Sequence, residues 1–308
     1  MPSGFFCIDK PAGFTSHDVV ARVRKALSMK KVGHSGTLDP MATGVMVIGF
    51  GNCTRLLDYV QSGVKTYEAT IKFGEKTPTA DAESEVVESK DMSDLDEGEL
   101  LVCLEKFKGI IEQTPPMVSA IKVDGKKLYE YQREGIEVER KKRKVEIFEI
   151  ELQSFENPYA KIAVTCSSGT YIRTLAEDIA DCLGGFGHLT QLRRVKNGQV
   201  DISECISLDE LGRVSEPLNY QISPKEILKH LTQIDLDESQ GADISFGKRI
   251  SLNKKQIKLV SQNSANTFVG FSSTPKPLCA VFKIDEDQID ELNENMNLKS
   301  SCIVFLDN

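Results

Sequence analysis

The chain has 308 residues, 40% of them apolar and 27% charged, with no tryptophan and a formal net charge of −8. That length suits one large domain plus a smaller one, and the composition is globular. No run approaches the roughly 20 apolar residues of a membrane span, and the first ten residues lack the pattern of a signal peptide.

In chain order, Phe5-Phe6-Cys7-Ile8 reads as a short buried strand. Thr15-Ser16-His17-Asp18 forms a capping-box pattern ahead of Val19, Val20, Val23, Ala26 and Leu27 at helical spacing. Val45 to Phe50 is an apolar run with β-branched residues, expected as a central strand. From Lys65 to Phe73 the pattern alternates, with Tyr67, Ala69, Ile71 and Phe73 on one face. Leu100, Leu101, Leu104 and Phe107 mark a helix, and Ile162, Val164 and Cys166 a strand. After Ser167-Ser168-Gly169, the residues Ile172, Leu175, Ala176, Ile179 and Leu183 fall on one helical face. Ser223-Pro224-Lys225-Glu226 caps another short helix. Beyond about Ile234 short β-like runs are expected at Ile244 to Ile250, Thr267 to Phe271, Leu278 to Ile284 and Cys302 to Leu306. Strands and helices mix without regular βαβ alternation, so the expected class is α+β with a mixed or antiparallel sheet. A small β-rich domain is expected at the C-terminal end.

Eight scattered cysteines without a Cys-x-x-Cys pair, and four dispersed histidines, form no metal-ligand spacing. Reduced thiols, no metal and a cytoplasmic location are expected. The net acidity does not exclude a polyanionic partner, because phosphate binding depends on local patches. Arg22, Arg24, Lys25, Lys30 and Lys31 form one basic group, and Arg193, Arg194 and Lys196 another. Between Lys122 and Lys144 nine Lys or Arg stand against five acids. Such runs are commonly solvated faces, so alone they raise an RNA partner only modestly.

The densest segment is Gly33-His34-Ser35-Gly36-Thr37-Leu38-Asp39-Pro40-Met41-Ala42-Thr43-Gly44. Its glycines and small polar residues describe a loop whose backbone comes close to something, and it lacks the Gly-Lys-Ser/Thr of a P-loop. Asp-Pro is also a common turn dipeptide, so spacing alone favours a structural role for Asp39.

This segment resembles the signature of the bacterial TruB family of tRNA pseudouridine-55 synthases, Gly-His-Thr-Gly-Thr-Leu-Asp-Pro-Leu-Ala-Thr-Gly, departing mildly at Ser35 and Met41. Further resemblance lies in Asp9-Lys10-Pro11-Ala12-Gly13-Phe14-Thr15-Ser16, in Lys65-Thr66-Tyr67, and in Gln113-Thr114-Pro115-Pro116 through Lys122. It continues in Cys166-Ser167-Ser168-Gly169-Thr170-Tyr171-Ile172-Arg173 and Leu192-Arg193-Arg194. One departure is Thr77-Pro78-Thr79-Ala80-Asp81, where Pro78 replaces an acid while Asp81 is kept. The matches span about residues 5 to 200; the last hundred match loosely.

The resemblance implies a pseudouridine synthase domain over 1–225 and a PUA-like RNA-binding domain over 226–308. It implies isomerisation of uridine 55 in the T loop of tRNA, by base flipping and without cofactor. Asp39 would act as nucleophile or as general base on the sugar. Arg173 would be its countercharge and Tyr67 the aromatic face for the flipped base. Weaker substrate contacts are His34, Tyr171, Leu192, Lys10 and Lys122. Four of these residues have plainer alternatives: an ion pair or phosphate contact for Arg173, core packing for Tyr67, ordinary helix packing for Leu192 and a turn cap for His34. Lys10, Lys122 and Arg140 to Lys144 would be scaffold and phosphate contacts, with salt-sensitive affinity. The T stem-loop of tRNA is the expected partner, with no membrane, no obligate protein partner and a monomeric state. Two alternatives stand beside this: a non-catalytic RNA-binding or tRNA-chaperone protein, and a related synthase acting on ribosomal RNA or with a guide RNA.

Overall fold

The computed structural model describes residues 2–61, 63–119, 121–263, 266–285, 289 and 291–306, the side chains of Lys122, Tyr129 and Arg133 excepted. The chain divides into two compact units, one of Met1–Asp39, Val45–Gly63 and Asn197–Asn308, the other of Pro40–Gly44 and Val64–Lys196.

In the second unit the expected strand is Lys65–Phe73, with Lys65, Tyr67, Ala69, Ile71 and Phe73 buried and the residues between them half-buried. One side of it pairs antiparallel with Tyr159–Cys166, in the register Tyr67↔Val164 and Lys65↔Cys166. Arg143–Glu156 and then Gly109–Gln113 extend the sheet antiparallel. Gly187–Asn197 lies on the other side of Lys65–Phe73. Helices Glu97–Glu105 and Ile172–Cys182 pack on this sheet and against each other. The Ile172–Cys182 helix buries Ile172, Leu175, Ala176, Ile179 and Ala180, the face its spacing predicts. Thr43 and Gly44 run parallel to Arg193 and Arg194. Gly44 has φ +105°, and a Cβ there would lie 2.1 Å from the Arg194 carbonyl oxygen, so only glycine fits.

In the first unit Thr15 caps helix Ser16–Ala26 with a complete capping box to Asp18. The helix lays Val19, Val20 and Val23 over Phe6 and Ile8 of strand Gly4–Lys10 and over Met46, Ile48 and Phe50. Each buried side chain of this size contributes roughly 1.5–3 kcal/mol. Phe5, Cys7, Val45 and Val47 join a second core with Val269, Cys279, Val281, Cys302 and Val304. Those last residues come from a four-stranded sheet in the order Thr232–Asp235, Thr267–Ser272, Leu278–Lys283, Ser300–Phe305.

The α+β class and the β-rich C-terminal region agree with the sequence reading, and no helix of the described residues is long and apolar enough to cross a membrane. One tail element differs. Ile244 to Ile250 is not a strand: helix Glu238–Ser245 runs through Ile244, and only Ile250–Ser251 pairs as β. Asp237 and Gln240 form its capping box, a signal outweighed in sequence by the isoleucines. Helix Lys254–Gln262 opens the same way through Asn253 and Gln256. The two buried glutamines exchange amide hydrogen bonds of 3.0 and 2.9 Å, so neither carries an unsatisfied group into the core.

Candidate active site

The loop bearing Asp39 is held at several points on the N-terminal side of that residue. Ser16, first in its helix and buried, accepts from the Leu38 N–H and donates to the Leu38 carbonyl through one hydroxyl, both at 2.9 Å. The Leu38 side chain is buried, which leaves the half-buried Asp39 at a fixed point of the chain. Upstream, the Ser35 N–H donates to the Val47 carbonyl at 3.0 Å. His34 Nδ1 accepts from the Gly36 N–H at 3.2 Å, and its ring meets His17 edge-on at 5.9 Å between centroids. His34 therefore caps its own turn, with the remaining ring nitrogen as its donor.

Lys10 has no exposed surface, and its ammonium donates to the carbonyls of Pro11 at 3.0 Å and Phe14 at 2.7 Å, bonds that tie it into the turn it precedes. The Lys122 side chain lies outside the described residues.

In the second unit Arg173 occupies the first turn of helix Ile172–Cys182 and is almost wholly buried. Its Nη1 donates to Asp81 Oδ2 at 3.2 Å and to the Thr79 carbonyl at 3.1 Å, while Nη2 donates to the Val118 carbonyl at 2.9 Å. Asp81 is equally enclosed; its Oδ1 accepts from the Thr79 hydroxyl at 2.6 Å and from the Glu83 N–H at 3.1 Å. Thr77 donates its hydroxyl to the Asp81 carbonyl at 2.7 Å, and the Leu189 N–H donates to the Ala80 carbonyl at 3.0 Å. The loop is thus pinned at four points while presenting one carboxylate and one carbonyl to the guanidinium. Sequence reasoning kept Asp81 without a role, because its pairing with Arg173 spans 92 positions.

Tyr67 is buried on its strand. Next to it on the same face, Lys65 is held down to about 8 by burial and then by the Arg194 guanidinium, with Cys166 opposing. Tyr171 is the N-cap of the Arg173 helix; its N–H donates to Gln113 Oε1 at 2.9 Å and its carbonyl accepts from Gln113 Nε2 at 3.2 Å. This two-point amide contact fixes the entry of the helix, and the Tyr171 ring is half-buried. Leu192 is buried on strand Gly187–Asn197, so the helix-packing alternative does not hold for it. Arg193 donates to the Thr43 hydroxyl at 3.2 Å.

A cleft of about 490 Å³ in the same unit is lined by Thr79, Val118, Arg140, Thr174, Glu177 and Asp178 among others. Its lining includes both residues, Thr79 and Val118, whose carbonyls hold Arg173. Burial pushes Glu177 up to about 7, with the Asp178 and Asp181 charges adding to it, and Asp178 up to about 6 through burial and then Asp181. Sequence reading passed over these acids, although 177, 178 and 181 stand at helical spacing. Glu177 binds more proton when folded than unfolded between its ordinary 4.5 and about 7. Stability therefore falls as pH rises through that window and stays reduced above it. Because Glu177 is partly exposed, screening leaves about 1 kcal/mol of the effect. Glu177→Gln is expected to stabilise the protein by that amount at pH 8 and by nothing near pH 4. Urea unfolding at both pH values checks this, and an equal effect at both would contradict it.

The family model "TruB family pseudouridylate synthase (N terminal domain)" matches residues 24–172, and "tRNA pseudouridylate synthase B C-terminal domain" matches 173–232. A protein of Geobacter sulfurreducens named tRNA pseudouridine synthase B is 43% identical over 243 residues, covering 78% of this chain and 80% of its own length. Its namesake in Thermobifida fusca is 47% identical over 220 residues, covering 69% and 75%. That of Haemophilus influenzae is 37% identical over 278, covering 87% and 88%. Among solved structures, the H/ACA RNP bound to a substrate RNA containing 2′-deoxyuridine holds a chain that superposes with a TM-score of 0.71 at 21% identity, covering 99% of this chain and 85% of that one. A Cbf5–Nop10–Gar1 complex gives 0.70 at 21% identity, covering 97% and 84%. At that identity the structural likeness speaks for the fold. With the matched models and relatives this similar over most of their length, the chain belongs to the TruB family of pseudouridylate synthases.

Proposed function

We propose that this protein isomerises uridine 55 in the T loop of tRNA to pseudouridine. The observation that carries the reading is the identity of 43% over most of the chain to a protein named tRNA pseudouridine synthase B. The reaction breaks the C1′–N1 glycosidic bond, turns the uracil and joins C1′ to C5. It is redox-neutral and needs no group donor.

Asp39 supplies the carboxylate, as nucleophile or as base on the sugar. Support comes from the Ser16 hold on Leu38, which fixes the backbone of the residue before it. Arg173 supplies the positive charge that keeps a carboxylate ionised in a closed site. Its rigid seating on Asp81, Thr79 and Val118 suits a group that must not reorganise during reaction. Tyr67 gives the flipped base a face, Leu192 an apolar wall and Tyr171 part of the pocket. Residues 1–225 then form the synthase region and 226–308 a PUA-like RNA-binding region, in a cytoplasmic monomer that acts without a protein partner.

Incubating the purified chain with an unmodified tRNA transcript and mapping pseudouridine at every position tests this. Product at position 55 without added protein or guide RNA is expected. Binding without product would point to the tRNA-chaperone reading. Product only with ribosomal RNA, or only with a guide RNA, would point to the related synthase.

A further inference from the structure

All eight cysteines are free thiols, but they are not equivalent. Cys103 is buried in helix Glu97–Glu105, and Cys182 is exposed as the last residue of helix Ile172–Cys182. The two helices meet through two contacts one turn apart. Cys103 Sγ donates to the Ile179 carbonyl at 3.6 Å, and the ammonium of Lys106, which caps the first helix, donates to Cys182 Sγ at 3.7 Å. The Ile179 carbonyl also accepts from the Leu183 N–H at 3.1 Å, so Cys103 sits against the last turn of the second helix, where Cys182 projects. The two thiols lie near enough to interact, and the Cys182 sulfur helps to raise Cys103.

We propose that Cys103 and Cys182 are an oxidisable dithiol, in which hydrogen peroxide attacks at Cys182 and Cys103 resolves the product to a disulfide joining the two helices. The assignment rests on contact and access. A thiolate is the reacting form, and it must be reachable from solvent. Cys182 is exposed, and its sulfur accepts from the Lys106 ammonium at 3.7 Å. Cys103 is kept as a thiol, pushed up to about 12 by burial and then by Cys182, with Lys106 opposing. It therefore waits for its partner to be oxidised.

In the first step the Cys182 thiolate attacks one peroxide oxygen. The O–O bond breaks, an S–O bond forms, and the second oxygen leaves as hydroxide and takes a proton to become water. In the second step the Cys103 sulfur attacks the Cys182 sulfenic acid. The S–S bond forms, the S–O bond breaks, and the departing hydroxide takes the Cys103 proton as a second water. Two thiols and one peroxide give one disulfide and two waters, and a dithiol reductant reverses the change.

The chain contains its own control. Cys205 is partly exposed and lies close enough to buried Cys7 for the two to interact, and the Glu204 carboxylate adds to what holds Cys7 as a thiol. Cys205 is less accessible than the exposed Cys182, so this second pair is expected to react later.

The test is to treat the reduced protein with one equivalent of hydrogen peroxide, alkylate, digest and identify the peptides by mass. The expected result is loss of two of the eight thiols with a linked peptide containing Cys103 and Cys182, restored by dithiothreitol. Cys182→Ser, a change at an exposed helix end, should abolish thiol loss at this dose. Cys103→Ser should leave Cys182 as a sulfenic acid that dimedone traps. Oxidation of Cys205 ahead of Cys182, over-oxidation of Cys182 without the linked peptide, or a Cys182-linked dimer would each overturn the proposal. Activity on tRNA does not enter the test, so its outcome is independent of the functional reading above.

Discussion

Asp39→Asn is expected to lower pseudouridine formation by ~10³-fold or more while tRNA affinity stays within about threefold. The amide keeps the size of the side chain but loses the negative charge and the nucleophilic or basic oxygen, effects worth 10²–10⁴ when the group acts in the chemistry. Nothing in the scaffold should compensate or collapse. The Leu38 backbone remains held by Ser16, and asparagine tolerates turn conformations as well as aspartate does. The unfolding midpoint should therefore stay near that of the parent. Single-turnover assays with radiolabelled tRNA, filter binding and a thermal melt separate the terms. Unchanged turnover would remove Asp39 from the chemistry, and lost turnover accompanied by a large drop in melting temperature would leave it a turn residue.

Much of the fold was legible because one face of each element is buried. Strand Lys65–Phe73 and helix Ile172–Cys182 show their periods plainly, and the Thr15–Asp18 capping box marks its helix within one residue. Strand Arg143–Glu156 was not legible, because its start lies in the basic run and its charged residues alternate as a solvated face would. Helix Glu238–Ser245 was misread for the opposite reason, its isoleucines outweighing a cap that carries the helical signal. In the candidate site, motif resemblance named Asp39, Tyr67 and Arg173, but what holds them was hidden. The Ser16–Leu38 bonds join positions 22 apart, and Asp81 meets Arg173 across 92. The burial of Lys10, with its ammonium turned onto the Pro11 and Phe14 carbonyls, was likewise hidden in the sequence.

Arg173→Met is expected to cost about 3–5 kcal/mol of folding stability, because it leaves the enclosed Asp81 carboxylate without its cation. Pairing it with Asp81→Leu should recover most of that loss, since replacing both members of a buried ion pair with apolar groups is often neutral. Turnover should not follow stability. If the pair only shapes the fold, the double variant regains activity along with its unfolding midpoint. If the guanidinium acts on charge in the site, the double variant stays at least ~10²-fold slow, a loss typical of removing one preorganised charge or donor. Arg173→Lys refines the distinction. One ammonium carries the charge but cannot reach Asp81, Thr79 and Val118 together as the planar fork does. It should bind tRNA nearly as the parent does and still turn over slowly. Urea unfolding and single-turnover rates on the three variants give both axes. Any buried guanidinium must find acceptors for its N–H groups, so the three-point seating fits either role. Divergence of the two axes is what would place Arg173 in the chemistry.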